Sequence, residues 1–204
     1  MNTNARKNAL VIILHEIYGV NDHTYYYRDM LVQEGYDVLT PDLLHGQAFT
    51  YDQDEQAYHF FVNEIGFDQT AAEVKQMVLA NRERYDRIFL MGFSVGATLA
   101  WMNSEIGVDG IIGFYGSRIR NHLYIVPECP ALLFFANHEK SFDVLALAER
   151  LQGKSNTTIE VIEGEHGFMN PFHPAYKSDE SMTCIAVTKE FLHKEVYKVG
   201  ANQP

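Results

Sequence analysis

The chain has 204 residues, 47% hydrophobic and 21% charged, which suits an ordinary globular protein with one good core. Its 27 acidic residues outnumber 16 basic ones, for a formal charge of −11, and no Lys/Arg-rich block occurs, so nucleic acid and anionic membrane surfaces make poor partners. Two cysteines, Cys129 and Cys184, together with an N-terminal apolar run far shorter than the ~20 residues of a membrane span, fit a reduced cytoplasmic protein without a signal peptide.

Residues 9–14 (ALVIIL) read as a strand covered on both faces. A helix follows from Asp22, with Gly35 as the left-handed residue that ends it. Residues 36–41 form a second strand, stopped by Pro41. The charged stretch 52–83 is helix-forming and broken near Gly66. Third, fourth and fifth strands are expected at 86–91, 110–115 and 131–136. Ser141 is the expected N-cap of a helix that presents Val144, Leu147, Ala148 and Leu151 on one face. Residues 157–163 form a sixth strand, and 179–198 a closing helix, acidic at its start and basic at its end. Strands alternating with helices imply a single α/β domain over residues 1–204. Its mostly parallel sheet has about six strands, helices cover both faces, and working residues follow the strand ends.

They do follow them. Gly92-Phe93-Ser94-Val95-Gly96 stands between the third strand and a helix, the pattern of a nucleophile elbow, in which glycines let strand and helix approach around an exposed serine. A serine needs a base, and the base needs an orienting acid. The loop after the sixth strand supplies His166; His173, between Phe172 and Pro174, reads as a surface or packing residue. The acid is Glu139 or Asp143. Glu139 is preferred, because a carboxylate in the first turn of a helix, where Asp143 falls, already stabilises the amide dipoles. The N–H of Val95 is one oxyanion donor, and the loop 15–21 after the first strand should give the second.

Four segments, HEIYGVN (15–21), GYDVLTPDL (35–43), GFSVGA (92–97) and EHGFMN (165–170), together resemble the dienelactone hydrolase family of the α/β hydrolases, across nearly the whole chain. The resemblance implies the α/β-hydrolase fold. It also implies that Glu16 lies beside the nucleophile and that Ile17 supplies the second oxyanion N–H, so that Glu16, Ile17 and Val95 make up the substrate-binding group. Alternatively, Glu16 only fixes its loop by hydrogen bonds. Three departures stand out: Ser94 replaces the family's cysteine, the acid is Glu139 rather than Asp, and no arginine follows His166. The expected activity is serine-type hydrolysis of a small carboxylic ester or lactone through Ser94, His166 and Glu139, with no cofactor and no metal. The competing reading is a non-catalytic small-molecule-binding protein on the same scaffold. The aromatic stretch 49–67 either covers the pocket as a lid or packs on the sheet.

Overall fold

The computed structural model describes residues 7–198. Six parallel strands, β1 (Lys7–Leu14), β2 (Asp37–Leu39), β3 (Tyr85–Phe93), β4 (Gly110–Phe114), β5 (Ala131–His138) and β6 (Thr157–Glu165), form one sheet in the order β2-β1-β3-β4-β5-β6. The central strands are apolar on both faces because helices cover both faces. Residues 10–14 and 88–91 are fully buried or nearly so. At the edge, β6 is covered only in part: Ile159 packs into the core on one face and Ile162 on the other, while Glu160, Val161 and Glu163 between and beside them are exposed.

Helices α1 (Asp22–Gln33) and α6 (Ser178–Tyr197) cover one face, placing Tyr27, Leu31, Cys184 and Leu192 against Val11, Ile13 and Phe89. On the other face lie α3 (Phe67–Asn81), α4 (Val95–Met102) and α5 (Val144–Gln152), with α2 (Asp54–Phe60) running into a π-helical turn, Phe61–Ile65. Beneath the strand ends, Phe93, Phe114 and Phe134 share a row across β3, β4 and β5. Each neighbouring pair stacks at 4.9 Å between ring centroids. Such pairs contribute about 0.5–1.5 kcal/mol each beyond their burial. This layer makes a stiff floor for whatever sits at the carboxyl ends of those strands.

Several expected boundaries shift. Strands β5 and β6 each run two residues beyond their expected ends, so Glu139 and His166 directly follow strand ends. Ser141 does not cap α5. Asp143 does, its Oδ1 accepting from the Ala146 N–H at 3.0 Å. The reason is its backbone: Asp143 is extended (φ −81°, ψ 109°) and directly precedes the helix, so its carboxylate reaches the first free amides. The stretch 49–67 does both things the sequence left open. Ala57, Phe61 and Ile65 are buried, while Asp54, Glu55 and Tyr58 face a cavity over the strand ends.

Candidate active site

Ser94 stands at the turn from β3 into α4 with φ 53° and ψ −114°, a conformation a non-glycine residue enters at a cost of about 1–3 kcal/mol. The glycines around it allow the close approach that holds it there. A Cβ added at Gly92 would lie 2.2 Å from the Gly96 carbonyl oxygen, and one at Gly96 would lie 2.1 Å from the Leu14 oxygen. Helix α4 therefore starts in contact with the backbone of β1's end, where the loop 15–21 begins.

The sequence places Ser94, Glu139 and His166 at the ends of three different strands, and the fold brings them together. The Ser94 hydroxyl lies 2.9 Å from His166 Nε2, and His166 Nδ1 lies 2.8 Å from Glu139 Oε1. The Glu139 side chain is 5% exposed and that of His166 is 40% exposed, so the carboxylate is sheltered while the imidazole faces the cavity. Behind them, the Tyr27 hydroxyl donates to the Met169 carbonyl at 2.7 Å and ties the histidine loop to α1. Of the two readings open for His173, packing is the one the structure shows, and the residue is half-buried. It rests edge-on to Tyr51, packs against Gly167 and lines the cavity.

The cavity measures about 450 Å³ and includes Ile17, Val95, Tyr58, Arg118, Lys140 and Glu165 in its wall. Arg118 lies over the Tyr58 ring and contacts its hydroxyl. Val95 opens α4, so its N–H is among those a helix cannot satisfy internally. The Ile17 N–H makes no hydrogen bond to another described residue.

Glu16, grouped with the substrate-side residues in the sequence, turns the other way. It is 4% exposed and does not line the cavity. Its Oε1 accepts from the Tyr115 hydroxyl at 2.8 Å, and its Oε2 from Asn170 Nδ2 at 2.9 Å, with His23 Nδ1 at 3.4 Å. Burial pushes this carboxyl's pKa up, but His23, Tyr115 and His166 outweigh it and hold the group at about 2, so it is ionised. Tyr115 is held protonated, first by its own burial and then by the adjacent Glu16 charge, which suits it as a donor. Sequence reasoning missed Tyr115 and Asn170 as partners of Glu16. Both follow strand ends, Tyr115 after β4 and Asn170 after β6, but nothing in the local sequence ties either of them to Glu16.

A putative dienelactone hydrolase from Klebsiella pneumoniae subsp. pneumoniae superposes with a TM-score of 0.74 at 17% identity, covering 95% of this chain and 89% of that one. That likeness defines an α/β-hydrolase fold. The sequence matches the dienelactone hydrolase family over residues 1–196, and the chain belongs to that family. It is 42% identical over 166 residues to the Bacillus subtilis (strain 168) protein YczH, itself described as uncharacterized, covering 79% of this chain and 81% of that one. It is 31% identical over 145 residues to a carboxymethylenebutenolidase of Pseudomonas putida, covering 64% of this chain and 60% of that enzyme.

Proposed function

We propose that this protein is a serine-type hydrolase of small carboxylic esters or lactones, acting through Ser94, His166 and Glu139 and an acyl-enzyme. The observation that carries this reading is the unbroken hydrogen-bonded path from Ser94 Oγ through both nitrogens of His166 to Glu139. The family name and the carboxymethylenebutenolidase relative favour an ester or lactone bond as the one broken.

In this reading the Ser94 oxygen attacks the substrate carbonyl while His166 Nε2 takes its proton. Glu139 holds the Nδ1–H and stabilises the imidazolium. The Val95 and Ile17 N–H groups receive the oxyanion at the moment charge develops. Collapse breaks the acyl–oxygen bond, and His166 returns the proton to the leaving alkoxide. Water, deprotonated by His166, then attacks the acyl-enzyme, and the same steps release the acid and free Ser94. Glu16 fixes the loop that carries Ile17. We read the described residues as part of one hydrolase domain, acting on small molecules in a reducing compartment, which suits the two buried free thiols Cys129 and Cys184. Among the described residues no helix is long and apolar enough to cross a membrane.

The experiment is a screen of aryl acetates and lactones against wild type and Ser94→Ala, with a fluorophosphonate probe in parallel. The proposal expects labelling and hydrolysis in wild type and neither in the variant. Hydrolysis of no ester or lactone, or labelling that persists in Ser94→Ala, would refute it.

A further inference from the structure

His15 ends the run from β1 into the loop that carries Ile17, and the mechanism above does not use it. It is 1% exposed, and both ring nitrogens meet backbone. Nε2 lies 2.9 Å from the Leu43 nitrogen, which can only donate; Nδ1 lies 2.6 Å from the Glu16 carbonyl oxygen, which can only accept. One tautomer satisfies both: the proton on Nδ1 and the lone pair on Nε2. Burial lowers the pKa of this imidazole, which keeps it neutral and so preserves the acceptor at Nε2.

The consequence falls on the peptide between Glu16 and Ile17. Its carbonyl takes the Nδ1–H of His15 and, at 3.4 Å, the N–H of Gly19. The described residues contain no cis peptide bond, and in a trans peptide the C=O and N–H point in opposite directions. A carbonyl held towards His15 turns the Ile17 N–H away from it, and Ile17 lines the cavity beside Ser94. If the peptide flipped, it would present a carbonyl oxygen to the developing oxyanion instead of a donor. The loop around it is clamped to the segment that Leu43 begins. The Phe49 N–H donates to the Tyr18 carbonyl at 3.1 Å, and a Cβ on Gly19 would come within 2.9 Å of the Gln47 oxygen.

We propose that His15 is a positioning residue that holds the 16–17 peptide, through its Nδ1–H···O=C hydrogen bond, in the orientation that offers the Ile17 N–H to the oxyanion. The proposal rests on the reading of Ile17 as a donor in a Ser94-dependent hydrolase.

Two substitutions separate the halves of the interaction. His15→Asn keeps an N–H where Nδ1 stands, and His15→Gln keeps only a polar group where Nε2 stands. Losing one oxyanion donor costs roughly 10²–10³-fold in kcat. His15→Gln should therefore lose about 10²-fold in kcat with KM within a few-fold, and lose affinity for a trifluoromethyl ketone, which forms a tetrahedral adduct, in parallel; His15→Asn should stay within about tenfold on both. Equal effects, the reverse order, or an effect on melting temperature without one on ketone affinity would overturn the proposal. One measurement needs no variant: ¹⁵N NMR of the wild type should show His15 protonated at Nδ1 and bare at Nε2 near neutral pH, and the other tautomer would overturn it. Ser94→Ala run alongside distinguishes the failures. If that variant hydrolyses like wild type, the hydrolase reading falls; if it is inactive while His15→Gln binds the ketone like wild type, only the role of His15 falls.

Discussion

Glu139 and Asp143 stand four residues apart after β5, and their surroundings give them different work. Glu139 is sheltered against His166, while Asp143 holds the first turn of α5. Glu139→Gln should lower kcat/KM by roughly 10²–10⁴-fold, because the imidazolium loses its counter-charge and the required tautomer. Asp143→Asn should leave it almost unchanged, since asparagine caps a helix as well as aspartate. Steady-state rates on one aryl acetate decide this, and the reverse order would move the acid to Asp143. Glu16 makes a second residue-scale prediction. Its pKa of about 2 lies below the ordinary carboxylate value, so its charge stabilises the fold above that ordinary value, and the contribution fades as pH falls towards 2. In urea titrations Glu16→Gln should be less stable than wild type by about 2–3 kcal/mol, with a gap that is flat above about pH 5 and narrows below it. A gap unchanged down to about pH 3 would mean that the buried group is not ionised. The meeting of Ser94, His166 and Glu139 was legible in the sequence because each follows a strand, in the chain order serine, acid, histidine that this fold uses. The Glu16 network was not. Tyr115 and Asn170 lie 99 and 154 residues away from it, and no local pattern records a partner across the sheet.

At the scale of elements, the central strands β1, β3, β4 and β5 were legible because burial on both faces leaves uninterrupted apolar runs, whereas the short helical turn Ser117–Asn121, which buries Ile119, was not. Boundaries were missed where the chain stays extended past the apolar residues. Asn137 and His138 are exposed yet still belong to β5, because backbone pairing with β6, not burial, decides strand length. The stretch 49–67 could not be divided between packing and covering the cavity, since an amphipathic helix does both with opposite faces. The junction of β3 with α4 was legible in detail, as only glycine fits where two backbones touch. Gly96→Ala tests that contact. The added carbon must push α4 away from Leu14 and His15, which separates Ser94 from the loop that carries Ile17. It should cost roughly 10²-fold or more in kcat/KM, together with a clear drop in melting temperature, as overpacking of a tight contact usually costs about 1–3 kcal/mol or more. Wild-type activity in Gly96→Ala would show that this contact does not set the geometry.

Across the whole molecule, a charge of −11 surrounds a cavity whose wall holds Asp54, Glu55, Glu139 and Glu165 against Arg118 and Lys140. Arg118 is engaged by Tyr58, and no arginine follows His166. Moving a carboxylate into such a site costs free energy unless a cation meets it, and the net field repels anions from a distance. Small neutral esters should therefore show higher kcat/KM than carboxylated lactones, and added salt should narrow the gap. A preference for the carboxylated lactone that Arg118→Ala removes would contradict this. The order of the strands was less legible than their number: alternation implies parallel crossovers, but the doubling back from β2 past β1 to β3 follows from packing over the whole sheet. What all three scales share is the claim that Ser94 is the nucleophile. The measurement that tests it most directly is the rate of aryl acetate hydrolysis by Ser94→Ala, with its melting curve taken alongside. The account predicts a loss of at least ~10³-fold with thermal stability nearly intact. A folded Ser94→Ala protein that still hydrolyses within tenfold of wild type would contradict it.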